Sequence, residues 1–182
     1  SDFSTKKSDR PVMDQAIDDF ETLLDSAPST KAVHLEKTGE NAWNGTFIFS
    51  DVESLVRDLG APTDQQLLKT ANGGITFYLT LETYPQLVPI IPFLADENFE
   101  AFGPEYNQGL SADDYLEMIS FMLGEEGPPA IEQSTITLRV TTPKPIKSMI
   151  NGRKLDPTTY EFSFPLIDFL LLAEPITFTV TW

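Results

Sequence analysis

Cysteine is missing altogether from the 182 residues, which excludes disulfides, thiol nucleophiles, iron–sulfur ligation and zinc sites of the cysteine type. Histidine occurs once, at His34 in an expected strand, where a lone histidine reads as a surface residue before it reads as a catalytic or metal-binding one. Basic residues are scarce: 12 Lys and Arg face 28 Asp and Glu, a formal net charge of -16. Such a surface repels phosphate backbones and anionic headgroups, so nucleic acid is not an expected partner and no membrane is held by charge. Long hydrophobic runs are lacking too. The richest, around Leu87 to Leu94 and Leu166 to Ala173, fall short of the roughly 18 residues a bilayer demands and are broken by proline or aspartate.

What is present is ordinary core-forming material, and a chain of this size buries roughly two-thirds of its unfolded surface without staples. The first ten residues are polar, gather Lys6, Lys7 and Arg10, and show no hydrophobic period, so 1-10 reads as a flexible tether and 11-182 as a single α+β domain. The chain starts at Ser1-Asp2 and not at methionine, which raises the expectation that an upstream segment, such as a signal peptide, has been removed.

From Pro11, the residues Met13, Ala16, Ile17, Phe20, Leu23, Leu24 and Ala27 recur at helical spacing, with Pro28 as the stop. Lys31 to Lys37 and Ala42 to Phe49 read as a hairpin about Thr38-Gly39-Glu40-Asn41, with Asn44-Gly45 as a competing turn. Asn44-Gly45-Thr46 also fits a glycosylation sequon, although a strand or turn shows the same letters. Ser50-Asp51-Val52-Glu53 and Thr63-Asp64-Gln65-Gln66 have capping-box spacing, each predicting a short helix, the second ended by Asn72-Gly73-Gly74. Ile75, Phe77, Leu79 and Leu81 alternate as a half-buried strand.

Residues 83 to 110 are the least regular stretch, with Pro85, Pro89, Pro92 and Pro104 among many apolar side chains. Long connections inside a domain are uncommon and often functional. Leu87, Ile90, Ile91, Phe93, Leu94, Phe99 and Phe102 are therefore the candidate ligand- or partner-binding residues, as a mobile flap over an apolar cavity or a partner-binding patch, read against core packing by a short proline-bounded helix.

Ser111 opens a helix with Tyr115, Met118, Ile119, Met122 and Leu123 as its buried face, broken by Gly124 to Pro129. The remainder reads as β, with Asn151-Gly152 as a hairpin signal and a helical turn within Leu166 to Glu174. The sum is α+β: a mainly antiparallel sheet of about six or seven strands with three to four helices on one face. A division into two subdomains near Gly127-Pro128-Pro129 is the alternative.

The run Thr137-Leu138-Arg139-Val140-Thr141-Thr142-Pro143, then Ile146-Lys147-Ser148, Asn151-Gly152 and Tyr160-Glu161-Phe162, resembles the strand, proline, strand, Asn-Gly, strand order of LppM-like bacterial cell-envelope lipoproteins. Lys144 and Phe162 stand where that family tends to have glycine and tryptophan. The resemblance implies an exported protein, a helix-grip-like sheet and a lipid-sized apolar groove, and it transfers no functional residue.

No Gly-x-Ser-x-Gly elbow, P-loop, dinucleotide fingerprint or His-Glu-x-x-His helix is present. The carboxylate pairs Asp18-Asp19, Asp113-Asp114 and Glu125-Glu126 read as solvated faces or helix starts, and Asp96, Glu97 and Glu100 lack the spacing of an EF-hand loop. No catalytic residue, metal ligand or cofactor is assigned. The leading expectation is a non-catalytic envelope module for an apolar or lipid-like ligand. It would be extracytoplasmic, periplasmic or at the cell surface, and reach a membrane only through an upstream lipid anchor. The second is an assembly or scaffold protein docking another envelope protein through 83 to 110, and the third a hydrolase with an unrecognised carboxylate site.

Overall fold

The computed structural model describes residues 12–182. The tether read over residues 1-10 and the placement of Pro11 in a first helical turn lie outside them. The chain divides into two compact units, one running to Leu59 and the other from Gly60 to Trp182.

In the first unit, the three- and four-residue apolar spacing produces α1 (Val12–Ser26), which buries Leu24. Its end is tied off locally: the Thr30 hydroxyl donates to the carbonyls of Leu24 and Ala27. The hairpin follows as β1 (Thr30–Gly39) and β2 (Ala42–Phe49), and the chain turns at Glu40-Asn41. Asn44-Gly45 is therefore not a turn. Gly45 faces Leu35 across the ladder, and a Cβ there would come within 2.8 Å of the Leu35 side chain, so glycine makes room for a leucine. Asp14 fastens α1 to the hairpin by accepting from Trp43 Nε1 at 3.2 Å and Lys37 Nζ at 3.3 Å. Helix α2 (Val52–Asp58) is capped by Asp51, whose carboxylate accepts from the Ser54 backbone and hydroxyl. The cap thus lies one residue after the one the spacing suggested, because Ser50 N–H is still engaged with Ser29 carbonyl at the end of the hairpin.

The second unit is built on two antiparallel sheets, giving, with the hairpin, nine strands in three sheets among the described residues instead of one sheet of six or seven. The α+β class holds. One sheet runs in the order β3 (Leu68–Thr70), β4 (Gly74–Leu79), β9 (Ile176–Thr181), β6 (Ser148–Ile150). The other runs β5 (Thr135–Thr141), β8 (Thr159–Pro165), β7 (Arg153–Asp156). Phe178 of β9 joins them, its ring 5.2 Å from Tyr160 and 5.1 Å from Phe162 of β8, so the alternating aromatics of both strands form one core.

Three local expectations fail for identifiable reasons. The helix expected after Thr63 is strand β3: the Gln65 amide exchanges two hydrogen bonds with the Leu68 backbone and leads the chain straight into pairing with β4. Asn72 and Gly73, both at positive φ, then make the β3–β4 turn instead of a helix stop. Asn151 and Gly152 are likewise both left-handed, but they do not close a hairpin. They carry the chain from β6, paired with β9, to β7, paired with β8. Asn151 Nδ2 donates to the Thr177 carbonyl of β9, while Tyr160 hydroxyl on β8 donates to Asn151 carbonyl, so the turn is held by both sheets.

The third failure concerns α5 (Ala112–Leu123), capped by Ser111. Tyr115 and Ile119 are buried, but Met122 and Leu123 are 57% and 60% exposed and Phe121 is 92% exposed. The break expected over Gly124 to Pro129 runs into a short helix that continues to Glu132 before the first strand of this region. Pro128 and Pro129 occupy the first turn of α6 (Gly127–Glu132), where no amide is missed, and its start packs on Ile119. In the last turn of α5 only the Cβ of Leu123 approaches that contact. Helix α7 (Leu166–Leu171) inserts Phe169 and Leu170 into the interior.

Candidate functional site

The connection between β4 and α5 folds into four short helical pieces, each started by a recognisable device. Thr83 hydroxyl accepts from Thr80 N–H and donates to Tyr78 carbonyl, ending β4 and opening α3 (Tyr84–Leu87), with Pro85 in its first turn. Pro92 begins a 3₁₀ turn (Pro92–Ala95), Asp96 caps α4 (Glu97–Glu100) by accepting from Asn98 and Phe99 amides, and Pro104 begins a second 3₁₀ turn (Pro104–Tyr106). Asp96 is thereby occupied as a cap.

These pieces are anchored. Asn107, 2% exposed, donates its side-chain amide to Phe102 carbonyl at 2.9 Å and to Leu170 carbonyl at 2.8 Å. Tyr115 hydroxyl donates to the same Phe102 carbonyl at 3.0 Å, and burial pushes its phenol up to about 12. The connection is thus tied to α5 through the Phe102 carbonyl and to α7 through the Leu170 carbonyl.

Of the seven residues picked from sequence, Ile90 and Leu94 are buried and Leu87, Ile91, Phe93, Phe99 and Phe102 are partly so. Phe93 and Phe99 pack against each other, centroids 5.0 Å apart and planes tilted by 48°. Only Leu94 lines the cleft that the segment encloses. That cleft has a volume of about 280 Å³ and is lined by Tyr84, Pro85, Val88, Leu94, Ala95 and Gly103 together with Glu100 and Glu105.

Sequence reasoning missed Tyr84, Val88, Glu100 and Glu105. The signal for the first two was their four-residue separation, which puts them on one side of a helical turn once α3 is placed. Tyr84 is 3% exposed, its ring tilted against Phe169 at 6.1 Å. Its hydroxyl makes no hydrogen bond within the described residues. Burial first, then the nearby charges of Glu105 and Glu100, push the phenol up to about 12, so it stays protonated at any physiological pH. Neither glutamate has a cationic partner among the described residues.

A second charged constellation lies on the β5-β8-β7 sheet. Glu161, 6% exposed, is directly opposite both Arg139 and Arg153 across the ladders. Arg139 Nε donates to Oε2 at 2.6 Å, while Arg153 donates to Oε1 through Nε at 2.9 Å and Nη2 at 2.6 Å. The two guanidinium groups hold the carboxyl below its ordinary value of 4.5. Both carboxylate oxygens of Glu161 are engaged in pinning strand register, which is a structural role.

The lone histidine, His34, is an exposed β1 residue 3.5 Å from Glu36. Asp114 is turned back onto the Ser111 cap. Among the described residues no three His, Asp or Glu side chains are gathered to hold a metal ion, and no helix is long and apolar enough to cross a membrane. A scan of family models finds no match, and comparisons with curated proteins and with solved structures find no significant similarity.

Proposed function

We propose that this chain is a non-catalytic binding module for an apolar or lipid-like ligand of the bacterial cell envelope, seated in the cleft under α3. The observation that supports it most is the cleft itself: an apolar concavity framed by a proline-rich connection that hydrogen bonds hold in place, with one buried polar group inside. Its volume of about 280 Å³ corresponds to roughly nine water-sized groups at about 30 Å³ each, which suits a single short chain or a small ring better than a two-chain lipid. The envelope location, with a lipid anchor attached through an upstream segment, rests on the LppM-like run between Thr137 and Phe162.

Docking of another envelope protein through 83 to 110 is the weaker reading, because Ile90 and Leu94 point inward and Phe93 spends its ring on Phe99. Native mass spectrometry of the purified chain, before and after incubation with a bacterial lipid extract, separates the two. A single small adduct that disappears in Val88→Trp, which fills the cleft, supports the binding module. A clean unliganded mass under both conditions overturns it.

A further inference from the structure

We propose that the ligand is an amine-bearing amphiphile, its ammonium group held by Glu100, Glu105 and the Tyr84 hydroxyl and its apolar part lying against Val88 and Leu94. This rests on the cleft being the ligand site. Two independent features point to the same head group. The first is the pair of carboxylates on the cleft wall, neither of them engaged by a lysine, arginine or histidine among the described residues. The second is Tyr84, which is 97% buried by its 3% exposure, lines the same cleft, and lacks an internal hydrogen bond for its hydroxyl. The hydroxyl is not one of the sealed, unpaired polar atoms, which among the described residues are Ser29 Oγ and Asn107 Oδ1, so it stays open to the cleft, and a ligand that displaces water there must answer it.

An ammonium group supplies what these three groups lack. It carries three N–H donors and a positive charge, so it can donate to two carboxylates and to the phenol oxygen at once. A fatty-acid carboxylate or a phosphate would be repelled by both glutamates. A plain hydrocarbon would leave the phenol unsatisfied, and an alcohol would satisfy it without answering the two negative charges. The chain's formal charge of -16 adds long-range attraction for a cation but cannot by itself choose this cleft.

Calorimetric titration with n-octylamine and n-octanol tests the assignment on the wild type, the double variant E100Q/E105Q, Y84F, and E125Q/E126Q, which removes the same charge from exposed Glu125 and Glu126. We expect n-octylamine to bind one to one and about tenfold more tightly than n-octanol. E100Q/E105Q should erase that preference while leaving n-octanol affinity intact. Y84F, which breaks no internal bond, should weaken n-octylamine by about threefold or more. E125Q/E126Q should change neither.

Equal affinity for the two probes, or an equal loss in E125Q/E126Q, overturns the amine assignment while leaving the cleft as a binding site. Failure of both probes to bind the wild type overturns the cleft itself. Circular dichroism of each variant confirms that these outcomes report binding and not unfolding.

Discussion

Two apolar stretches of the second unit behave in opposite ways. The 83 to 110 connection, rich in proline and irregular in pattern, turns Ile90 and Leu94 inward and is bolted down by Asn107 and Tyr115. Helix α5, regular and correctly capped, ends with Phe121, Met122 and Leu123 in solvent. Regularity of pattern therefore does not report burial. A helical stripe says which side chains share a face, whereas what lies against that face is decided by the next element, here α6, whose start packs on Ile119 and the Cβ of Leu123 and leaves most of the Leu123 side chain, Met122 and Phe121 in solvent.

The sharpest way to break this comparison is to delete side chains on each side of it. Leu94→Ala should lower the unfolding free energy by about 2–3 kcal/mol in urea titrations, as truncation of a buried leucine does. Next comes Asn107→Ala, which removes both anchoring amide bonds; a loss of about 2 kcal/mol is expected, and a loss below about half a kcal/mol would mean the connection is not held at Phe102. Tyr115→Phe strips the second bond from that carbonyl and should cost about 1 kcal/mol by the same measurement.

Acid sharpens the contrast differently, because the connection is anchored by neutral groups and the β5-β8-β7 sheet by charged ones. Glu161 is held below 4.5 in the fold, so its contribution is present above that value and is lost as pH falls through the depressed folded value. Unfolding midpoints of the wild type should therefore fall more steeply below about pH 4.5 than those of Glu161→Gln. Parallel acid limbs in the two proteins would remove the carboxylate from the account of this sheet. The smallest effect belongs to the end of α5: Phe121→Ser, Met122→Ser and Leu123→Ser should each stay within about 0.5 kcal/mol of wild type. A larger loss in any of them would show that this turn is covered after all.

The candidate site was only partly legible in the sequence. The proline-rich connection was recognisable as the place to look, and Leu94 was among the residues picked. Phe93 and Phe99 drew attention because they are large and apolar, yet they satisfy each other. Tyr84, Glu100 and Glu105 meet across pieces of chain 16 and 21 residues from Tyr84, a separation that no periodicity encodes, so only the folded path brings them together. The Glu161 triad was hidden for a related reason. Its partners lie on two strands that flank β8, and strand order within a sheet is not a property of any one strand.

What the sequence determined by itself was everything set by short-range sterics and hydrogen bonding. It specified α1, the β1–β2 hairpin, the alternation of β4, β5, β8 and β9, the Ser111 cap, and a bend at Asn151-Gly152 and at Asn72-Gly73, although the second was read as a helix stop and is a hairpin turn. Tertiary structure decided what those pieces were for. An identical pair of left-handed residues closes a hairpin after β3 but crosses between sheets after β6, because in the second case Thr177 and Tyr160 hold the turn from two different sheets. Local letters set the bend, and the hydrogen-bond partners waiting on either side set its destination.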